Sequence, residues 1–368
     1  MISKQTIAVF WFRRDLRLND NAALYQALIS GFPVLPVFIF DKNILNKLQP
    51  DDRRVSFIYQ AIKSLNDLLL PFKSSIQMYS GKPAEIFEKI ISEYNVSAVY
   101  ANHDYEPYAR ERDQHIKKIL AERGVLFHTF KDQVIFEKDE VTKISGEPYT
   151  VFTPYSHRWL EKLKGNDHYL HNWNSEDYLF NLTQIVQSKL LALSEIGFRE
   201  AKGAFEPFFM NSSVLETYDK TRDFPALNTT SKISIHLRFG TVSIRQIVAA
   251  AIQINPVWLN ELIWREFFMQ ILWYFPHVTD HPFKSSYQFI KWNNNENDFQ
   301  AWCEGRTGYP LVDAGMRELN ETGFMHNRVR MVTASFLIKH LLINWQWGES
   351  YFASKLNDFE LSANNGNW

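Results

Sequence analysis

The feature that most restricts the fold of this chain is an alternation of two hydrophobic periodicities over its first 130 residues. Short apolar runs typical of buried strands are separated by segments of helical length. The predicted strands are Ile7–Phe12, Val34–Phe40, Ile76–Tyr79, Ala98–Ala101 and Val125–Phe130, and the predicted helices are Asn21–Ser30, Arg53–Leu70, Pro83–Tyr94 and Ala109–Arg123. Because strands that alternate with helices form βαβ units, the sequence predicts a parallel sheet covered by helices on both faces.

The remainder of the chain has a different character. Residues 131–200 are less regular and carry turn-forming residues, which predicts a connector with one or two short helices. From about residue 200 onward the hydrophobic period is helical, and the predicted helices are Ser243–Ile254, Trp258–Tyr274, Pro310–Glu321 and Arg328–Asn344. The sequence therefore predicts an α/β domain over residues 1–130, a connector over 131–200 and an all-helical domain over 201–368.

Composition restricts the class of protein more than its partners. A formal net charge of −1 argues neither for nor against nucleic acid, because phosphate contacts need only a local basic face. The single cysteine, Cys303, excludes an internal disulfide and a cysteine-based metal site. The apolar runs are too short to span a bilayer, and the N-terminus lacks a signal-peptide pattern, so we predict a cytoplasmic protein without a membrane partner.

The end of the first predicted strand does not resemble a dinucleotide site. A parallel sheet often binds a nucleotide at its carboxyl edge, close to where its first strand ends. Here that strand runs into Trp11-Phe12-Arg13-Arg14-Asp15-Leu16-Arg17, and the sequence has neither a GxGxxG nor a Walker A motif. Bulky cationic residues cannot form a glycine cradle for phosphates, so a standard dinucleotide site is not predicted.

Two segments of the second half carry chemistry that the residues alone leave open. Thr229-Thr230-Ser231-Lys232-Ile233-Ser234 places hydroxyls before a helical region, which suits either an anion site or an ordinary helix cap. Glu261, Trp264 and Arg265 fall on neighbouring positions of one predicted helix face. Their side chains suit either a site for a heteroaromatic ring or an ordinary ion pair.

A third segment contains His326-Asn327-Arg328-Val329-Arg330-Met331. Arg328 and Arg330 point to different faces of the predicted helix and so are able to serve different partners. One of them would meet phosphate and the other an internal carboxylate such as Asp358. A solvated charged face is the alternative.

Five motifs occur in one order and spacing along the chain, at residues 11–17, 261–267, 307–310, 325–331 and 364–366. In these motifs the chain resembles the photolyase/cryptochrome family, and most of all its class I cyclobutane pyrimidine dimer photolyases. The resemblance covers essentially all 368 residues. It implies a Rossmann-like α/β antenna domain followed by an all-helical domain that holds FAD and binds DNA.

The resemblance implies a set of FAD contacts in the helical domain. They are Tyr218, Thr230, Ser231, Lys232, Ile233, Ser234, Trp258, Arg265, Arg330, Asp358, Phe359, Glu360 and Asn364. The segment 230–234 would lie mainly at the phosphates, Asn364 beside flavin N5, and Arg330 against Asp358. Family members typically carry aspartate where this chain has Glu360.

The resemblance also implies the reaction and its other participants. Excited, reduced FAD would pass an electron to a pyrimidine dimer flipped out of damaged DNA, with Glu261, Trp264, Asn327 and Met331 at the lesion. Arg222 and Arg328 would contact DNA phosphates. Trp292, Trp345 and Trp368 match, from surface to flavin, the family's electron-transfer chain. A monomer is expected.

A second chromophore stays open at this point. The segment 102–109 lies where folate-binding members place their antenna contacts. Glu106 is retained, but Ala109 stands where such members can carry a second acid. The resemblance therefore leaves methenyltetrahydrofolate, a deazaflavin or no antenna as alternatives.

Three other functions compete with dimer repair. A cryptochrome uses the same flavin for signalling, but plant-type members usually carry an acid at the position of Asn327, so Asn327 and Met331 favour repair. A (6-4) lesion is less favoured, because that branch usually has a histidine pair near His326.

The third alternative is a non-functional fragment: the family continues beyond the position of Trp368, which predicts an incomplete helical domain, weak FAD retention and reduced activity. The last five residues predict no closing element, so Trp368 would need a partner to cover it, unless the polypeptide has been cut.

Overall fold

The structure, a computed structural model, describes residues 5–185, 190–201 and 207–368. Within these residues the chain forms two compact units, each assembled from several segments. The first takes its residues from Met1–Ile135, Asn166–Pro207 and Phe239–Ala249, and the second from Phe136–Gly165, Phe208–Arg238 and Ala250–Trp368. Residues 131–200, the predicted connector, thus contribute to both units.

The first unit contains a parallel five-stranded sheet. Its strands are β1 (Thr6–Phe12), β2 (Val34–Asp41), β3 (Gln77–Gly81), β4 (Asn95–Asn102) and β5 (Leu126–Phe130). They lie in the order β3-β2-β1-β4-β5, and Val9 in β1 is in register with Leu35 on one side and Val99 on the other. The predicted parallel sheet is confirmed.

The chain forms sixteen α-helices within its described residues. In chain order the α-helices are α1 (Ala22–Leu28), α2 (Lys42–Leu45), α3 (Arg53–Leu69), α4 (Pro83–Glu93), α5 (Pro107–Glu122), α6 (Phe152–Leu163), α7 (Ser212–Glu216), α8 (Tyr218–Thr221), α9 (Ser234–Phe239), α10 (Ile244–Ile254), α11 (Pro256–Tyr274), α12 (Glu296–Cys303), α13 (Pro310–Thr322), α14 (Asn327–Lys339), α15 (Trp345–Lys355) and α16 (Leu361–Asn367). The predicted division into an α/β region and a later helical region is confirmed.

Two predictions about local structure are wrong. The helix predicted to reach Asn344 ends at Lys339, because Leu342 has a left-handed backbone (φ 53°) and Asn344 caps the next helix, α15. The chain end, predicted to lack a closing element, is helical as α16. In the predicted connector, where short helices were expected, α6 is a helix of 12 residues that buries Tyr155 and Trp159 on one face.

A buried ionic network links the segments of the first unit. Arg17 Nη2 lies 2.6 Å from Asp132 Oδ2, and Arg245 Nη2 lies 2.8 Å from Asp132 Oδ1. Arg245 Nε also donates to both oxygens of Asp20 at 2.9 Å. All four residues are buried. The network therefore fixes three distant parts of the sequence in one place, by contacts that are costly to break one at a time.

No helix within residues 5–185, 190–201 and 207–368 is both long enough and apolar enough to cross a bilayer.

Candidate functional site

Helix α11 carries four of the predicted site residues in the second unit. It begins at Pro256 behind Asn255, whose side chain accepts hydrogen bonds from the first backbone N–H groups and fixes the start of the helix. Trp258 is buried one turn from that end, and Arg265 Nη2 lies 3.4 Å from the carbonyl oxygen of Leu237. Glu261 is only partly covered, and its carboxylate is paired with Arg222. Glu261 thus forms an ion pair with a residue outside α11, and its role at a ligand stays a prediction.

Trp264 has one face covered by a neighbour. Its ring stacks on Phe152 of α6 with ring centroids 3.5 Å apart and planes 5° apart. Phe267 meets the same ring edge-on at 5.7 Å. Phe268 also stacks on this ring, with centroids 5.4 Å apart and planes 27° apart, so aromatic side chains of the chain itself already contact Trp264.

Arg222 and Arg328, the predicted phosphate contacts, share an acidic neighbour that the sequence did not single out. Arg328 Nε donates to Asp223 Oδ1 at 2.7 Å, and Arg222 Nε lies 3.5 Å from the same oxygen. The side chains of Glu261, Arg222, Asp223 and Arg328 thus form a row of alternating charge, which we call the charge row. The hydrogen bond from Arg328 lowers the pKa of Asp223, so Asp223 is ionised at neutral pH.

Two further polar groups lie beside the charge row. Burial and then the charge of Glu261 raise the pKa of Tyr218 to about 12, which keeps its hydroxyl protonated as a hydrogen-bond donor. His326 caps α14, and its Nδ1 accepts the backbone N–H of Arg328 at 3.2 Å. Its Nε2 is buried without a hydrogen-bond partner among the residues that the structure describes.

Helix α14 directs its two arginines to different partners, as the sequence predicts. Arg328 faces Asp223, whereas Arg330 Nη2 donates to Asp358 Oδ2 at 2.9 Å. Arg330 Nε also donates to the carbonyl oxygen of Met325 at 2.8 Å, which fixes the guanidinium plane. Asn327 and Met331 are exposed, and Met331 retains 53% of its accessible surface.

The other predicted flavin contacts have partners that sequence reasoning missed. Glu360 is buried and pairs with Arg238 at 3.1 Å. Asn364 Nδ2 donates to Glu349 Oε1 at 2.7 Å and to its carbonyl oxygen at 3.2 Å, which leaves Oδ1 as the end of the amide directed elsewhere. Phe359 packs against the apolar core of the second unit. Because Glu349 and Asn364 are 15 residues apart on different helices, no sequence period pairs them.

Residues 230–232 of the predicted phosphate segment line a cavity of about 200 Å³. Thr230, Ser231 and Lys232 supply two hydroxyls and an ammonium group, and Asn211 and Asn228 supply side-chain amides. These are donors to phosphate oxygens, so the donor set fits the diphosphate of FAD. Ile233 and Ser234 do not line this cavity: Ile233 is buried, and Ser234 is the first residue of α9.

The three tryptophans of the predicted electron chain are placed by α15 or by the residues just before it. Trp345 lies on this helix, Trp292 precedes a segment bonded to residues 342–344, and Trp368 packs against the helix. Asn293, next to Trp292, donates its backbone N–H to Leu342 at 2.7 Å, and Asn294 accepts from the backbone of Asn344 at 2.8 Å. Trp345 is the first residue of α15. The ring of Trp368 packs edge-on against Phe352 of the same helix, 5.2 Å between centroids. The chain itself thus partly covers Trp368.

Gly348 allows α15 to approach Trp368 closely. A Cβ atom at this position would overlap the Trp368 ring and a methyl group of Leu337. We expect Gly348→Ala to destabilise the second unit by about 1–3 kcal/mol, because overpacking outweighs the better helix propensity of alanine. Thermal unfolding followed by tryptophan fluorescence measures this loss. Ser350→Ala, at an exposed position of the same helix, should leave the unfolding temperature unchanged. A variant Gly348→Ala as stable as the native chain would show that the Trp368 ring is free to move.

The first unit has a candidate ligand region at the point where the sheet order reverses, between the carboxyl ends of β1 and β4. The ring of Trp11 lies there between the guanidinium groups of Arg13 and Arg112, each 4.8 Å from it. Glu106, the retained antenna acid, lies 3.1 Å from Arg14. The identity of an antenna chromophore stays a prediction.

Comparison with known proteins places these sites in context. Residues 8–173 match the family described as DNA photolyase, and residues 258–368 match the FAD binding domain of DNA photolyase. The chain is 34% identical to the deoxyribodipyrimidine photo-lyase of Synechococcus sp., over 98% of this chain and 80% of the relative. It is 35% identical to the enzyme of the same name from Escherichia coli, over 99% of this chain and 81% of the relative.

The chain belongs to the photolyase/cryptochrome family.

Solved structures agree with this assignment. A class III photolyase from Agrobacterium tumefaciens is 30% identical with a TM-score of 0.82, over 100% of this chain and 80% of that one. A photolyase from Sulfolobus tokodaii, solved with two FAD molecules, is 34% identical with a TM-score of 0.76, over 98% and 81%. A cryptochrome from Synechocystis sp. is 26% identical with a TM-score of 0.88, over 100% and 82%.

The family match decides the cofactor. Because residues 258–368 match a domain that binds FAD, the prediction of FAD as cofactor is confirmed, and the donors around the 200 Å³ cavity fit it.

Proposed function

We propose that this protein repairs cyclobutane pyrimidine dimers in DNA, with light as the source of energy and FAD as the cofactor. The observation that carries the proposal is that side chains on α14 face two different environments. Its solvent-facing side carries Asn327, Arg328 and Met331, and the charge row connects Arg328 to Glu261, whereas Arg330 is paired with Asp358. Proteins of the family that are named deoxyribodipyrimidine photo-lyase support this function at 34% and 35% identity.

The inward side provides the flavin environment. Reduced FAD, when bound and excited by light, supplies the electron that splits the dimer. Arg330 places a fixed positive charge near the polar edge of the ring, and Asp358 holds that charge in position at 2.9 Å. Tyr218 and the residues Thr230 to Ser234 hold the cofactor, with Thr230, Ser231 and Lys232 at its phosphates. Trp258, Arg265, Phe359, Glu360 and Asn364 complete the set of proposed contacts.

The exposed side provides the lesion environment. Glu261 and Asn327 hydrogen-bond the polar edges of the flipped-out bases, and Met331 together with Trp264 contacts their rings. Arg222 and Arg328 contact the phosphates on either side, which positions the strand without reading its sequence. Trp292, Trp345 and Trp368 carry electrons from the surface toward the flavin when it needs reduction.

A repair assay tests the proposal directly. An oligonucleotide that contains one thymine dimer is expected to be restored under blue light by the reduced, FAD-loaded protein and to stay unrepaired in the dark. Absence of light-dependent repair by protein with stoichiometric FAD would remove the proposed function. Purification with stoichiometric FAD would also contradict the expectation of weak FAD retention.

Glu261→Gln is expected to lower the repair rate by roughly 10- to 100-fold, because a carboxylate that stabilises charge developing on the bases is lost. Glutamine keeps the size of the side chain and an acceptor for Arg222. The fraction of bound FAD, measured by absorbance, should not change, since Glu261 is not among the proposed flavin contacts. An unchanged repair rate would show that Glu261 has no part in the reaction.

A cryptochrome-type photoreceptor is the second candidate. The TM-score of 0.88 to the Synechocystis cryptochrome favours it. Light-dependent binding of a partner by a protein that lacks repair would establish it in place of repair. The monomeric state and cytoplasmic location stay predictions.

A further inference from the structure

The arginines proposed to bind DNA phosphates already have carboxylate partners in the protein without DNA. Arg328 is bonded to Asp223 at 2.7 Å, and Arg222 lies between Asp223 and Glu261. The net charge of the charge row is therefore zero, because two guanidinium groups face two carboxylates. A DNA strand that binds these arginines has to compete with side chains that are already there.

Asp223 is the member of the charge row to which the proposed reaction assigns no role. Its side chain is 52% exposed, and Arg328 beside it is 41% exposed, so the pair is open to solvent on one side. One carboxylate oxygen serves both guanidinium groups, as a phosphate oxygen would. The Asp223 carboxylate therefore contacts both guanidinium groups at the place where a DNA phosphate is expected to contact them.

We propose that Asp223 is an internal competitor of the DNA phosphates. The inference rests on the proposed function, because it takes Arg222 and Arg328 as phosphate contacts. In the free protein Asp223 orients both guanidinium groups and offsets their charge. When DNA binds, a phosphate replaces Asp223 at Arg328, and the carboxylate turns to solvent and takes up a cation. Asp223 thus lowers the affinity for DNA and the number of counterions released on binding.

The test is Asp223→Asn, which keeps the size of the side chain and removes its charge. The probes are a labelled duplex with one thymine dimer and the same duplex undamaged, with affinity measured by fluorescence anisotropy in the dark over a range of salt concentrations. We expect Kd for both duplexes to fall by about three- to tenfold at low salt, and the plot of log Kd against log salt to steepen by about 0.9. The gain should vanish at high salt.

Glu122→Gln is the matched control, since it changes the net charge by the same amount at an exposed position of α5. It is expected to leave both affinities unchanged. A variant Asp223→Asn that binds no more tightly than Glu122→Gln at any salt concentration would overturn the inference. Far-ultraviolet circular dichroism checks that both variants are folded.

A double-mutant cycle separates competition from a general charge effect. Arg328→Gln alone should weaken binding, and adding Asp223→Asn to it should recover much less affinity than in the native background. An equal gain in both backgrounds would refute competition at Arg328. Failure of the native protein to bind or repair the dimer would instead remove the proposed function itself, which keeps the two failures distinct.

Discussion

Asp132→Asn is expected to destabilise the first unit by about 3–5 kcal/mol, because it leaves two buried guanidinium groups with half of their charge compensation. Arg17 and Arg245 each donate to Asp132, at 2.6 and 2.8 Å, and the backbone N–H of Ala22 donates to it at 3.2 Å. Asparagine offers one acceptor oxygen and turns an N–H group toward the remaining arginine. Asp20 compensates Arg245 in part.

The stability that Asp132 contributes is expected to depend on pH, because the fold changes the pKa of its carboxyl group. Burial acts to raise that pKa, but the charges of Arg17 and Arg245 outweigh it and lower the pKa overall. A carboxyl group whose pKa is lower in the folded state stabilises the fold above its unfolded pKa of about 4, and this contribution is lost as the pH falls toward the folded value. The difference in stability between the native chain and Asp132→Asn should therefore be full at neutral pH and shrink below about pH 4.

Urea unfolding followed by circular dichroism measures the effect. Asp67→Asn, at an exposed position of α3, is the control and should change the midpoint little. If the two units unfold in separate transitions, only one transition should shift. Equal midpoints for Asp132→Asn and Asp67→Asn would show that the network does not contribute to stability.

The second large effect concerns photoreduction. Trp345→Phe should slow the light-driven reduction of oxidised FAD at least about tenfold, equivalent to about 1.4 kcal/mol in barrier, because phenylalanine cannot replace tryptophan as an electron relay. Trp345, the proposed middle relay, begins α15, and the ring of Trp368 packs against Phe352 of the same helix. Repair by protein that was reduced beforehand should stay near the native rate.

Trp347→Phe is a close control for this result. Trp347 lies on the same helix two residues later, but its ring packs against Phe299, 5.2 Å between centroids, in the apolar core. We expect it to cost some stability and to leave the photoreduction rate unchanged. Transient absorption after a laser flash measures the rate. Equal slowing by both substitutions, or equal loss of repair and photoreduction in Trp345→Phe, would contradict the electron-relay role.

Local chemistry made part of the site predictable. The spacing of Glu261 and Trp264 placed them on one helix, and the different directions of Arg328 and Arg330 followed from helical geometry alone. The pairing of Arg330 with Asp358 was also expected and is present at 2.9 Å. What the sequence did not predict was Asp223, although it directly follows Arg222, because an acid next to a base on a predicted surface usually has no specific partner.

The kind of fold and the family were predictable from local patterns along the chain. Hydrophobic periodicity depends on neighbours within one turn or one strand, so all five strands of the sheet were predictable from the local pattern. The pairing of charged side chains that are distant in sequence became known only from the folded chain. Asp223 and Arg328 are 105 residues apart, as Arg17 and Asp132 are 115 apart, and no local period relates such positions. Charge pairing depends on distance in space, which the fold sets only after the helices and strands have packed.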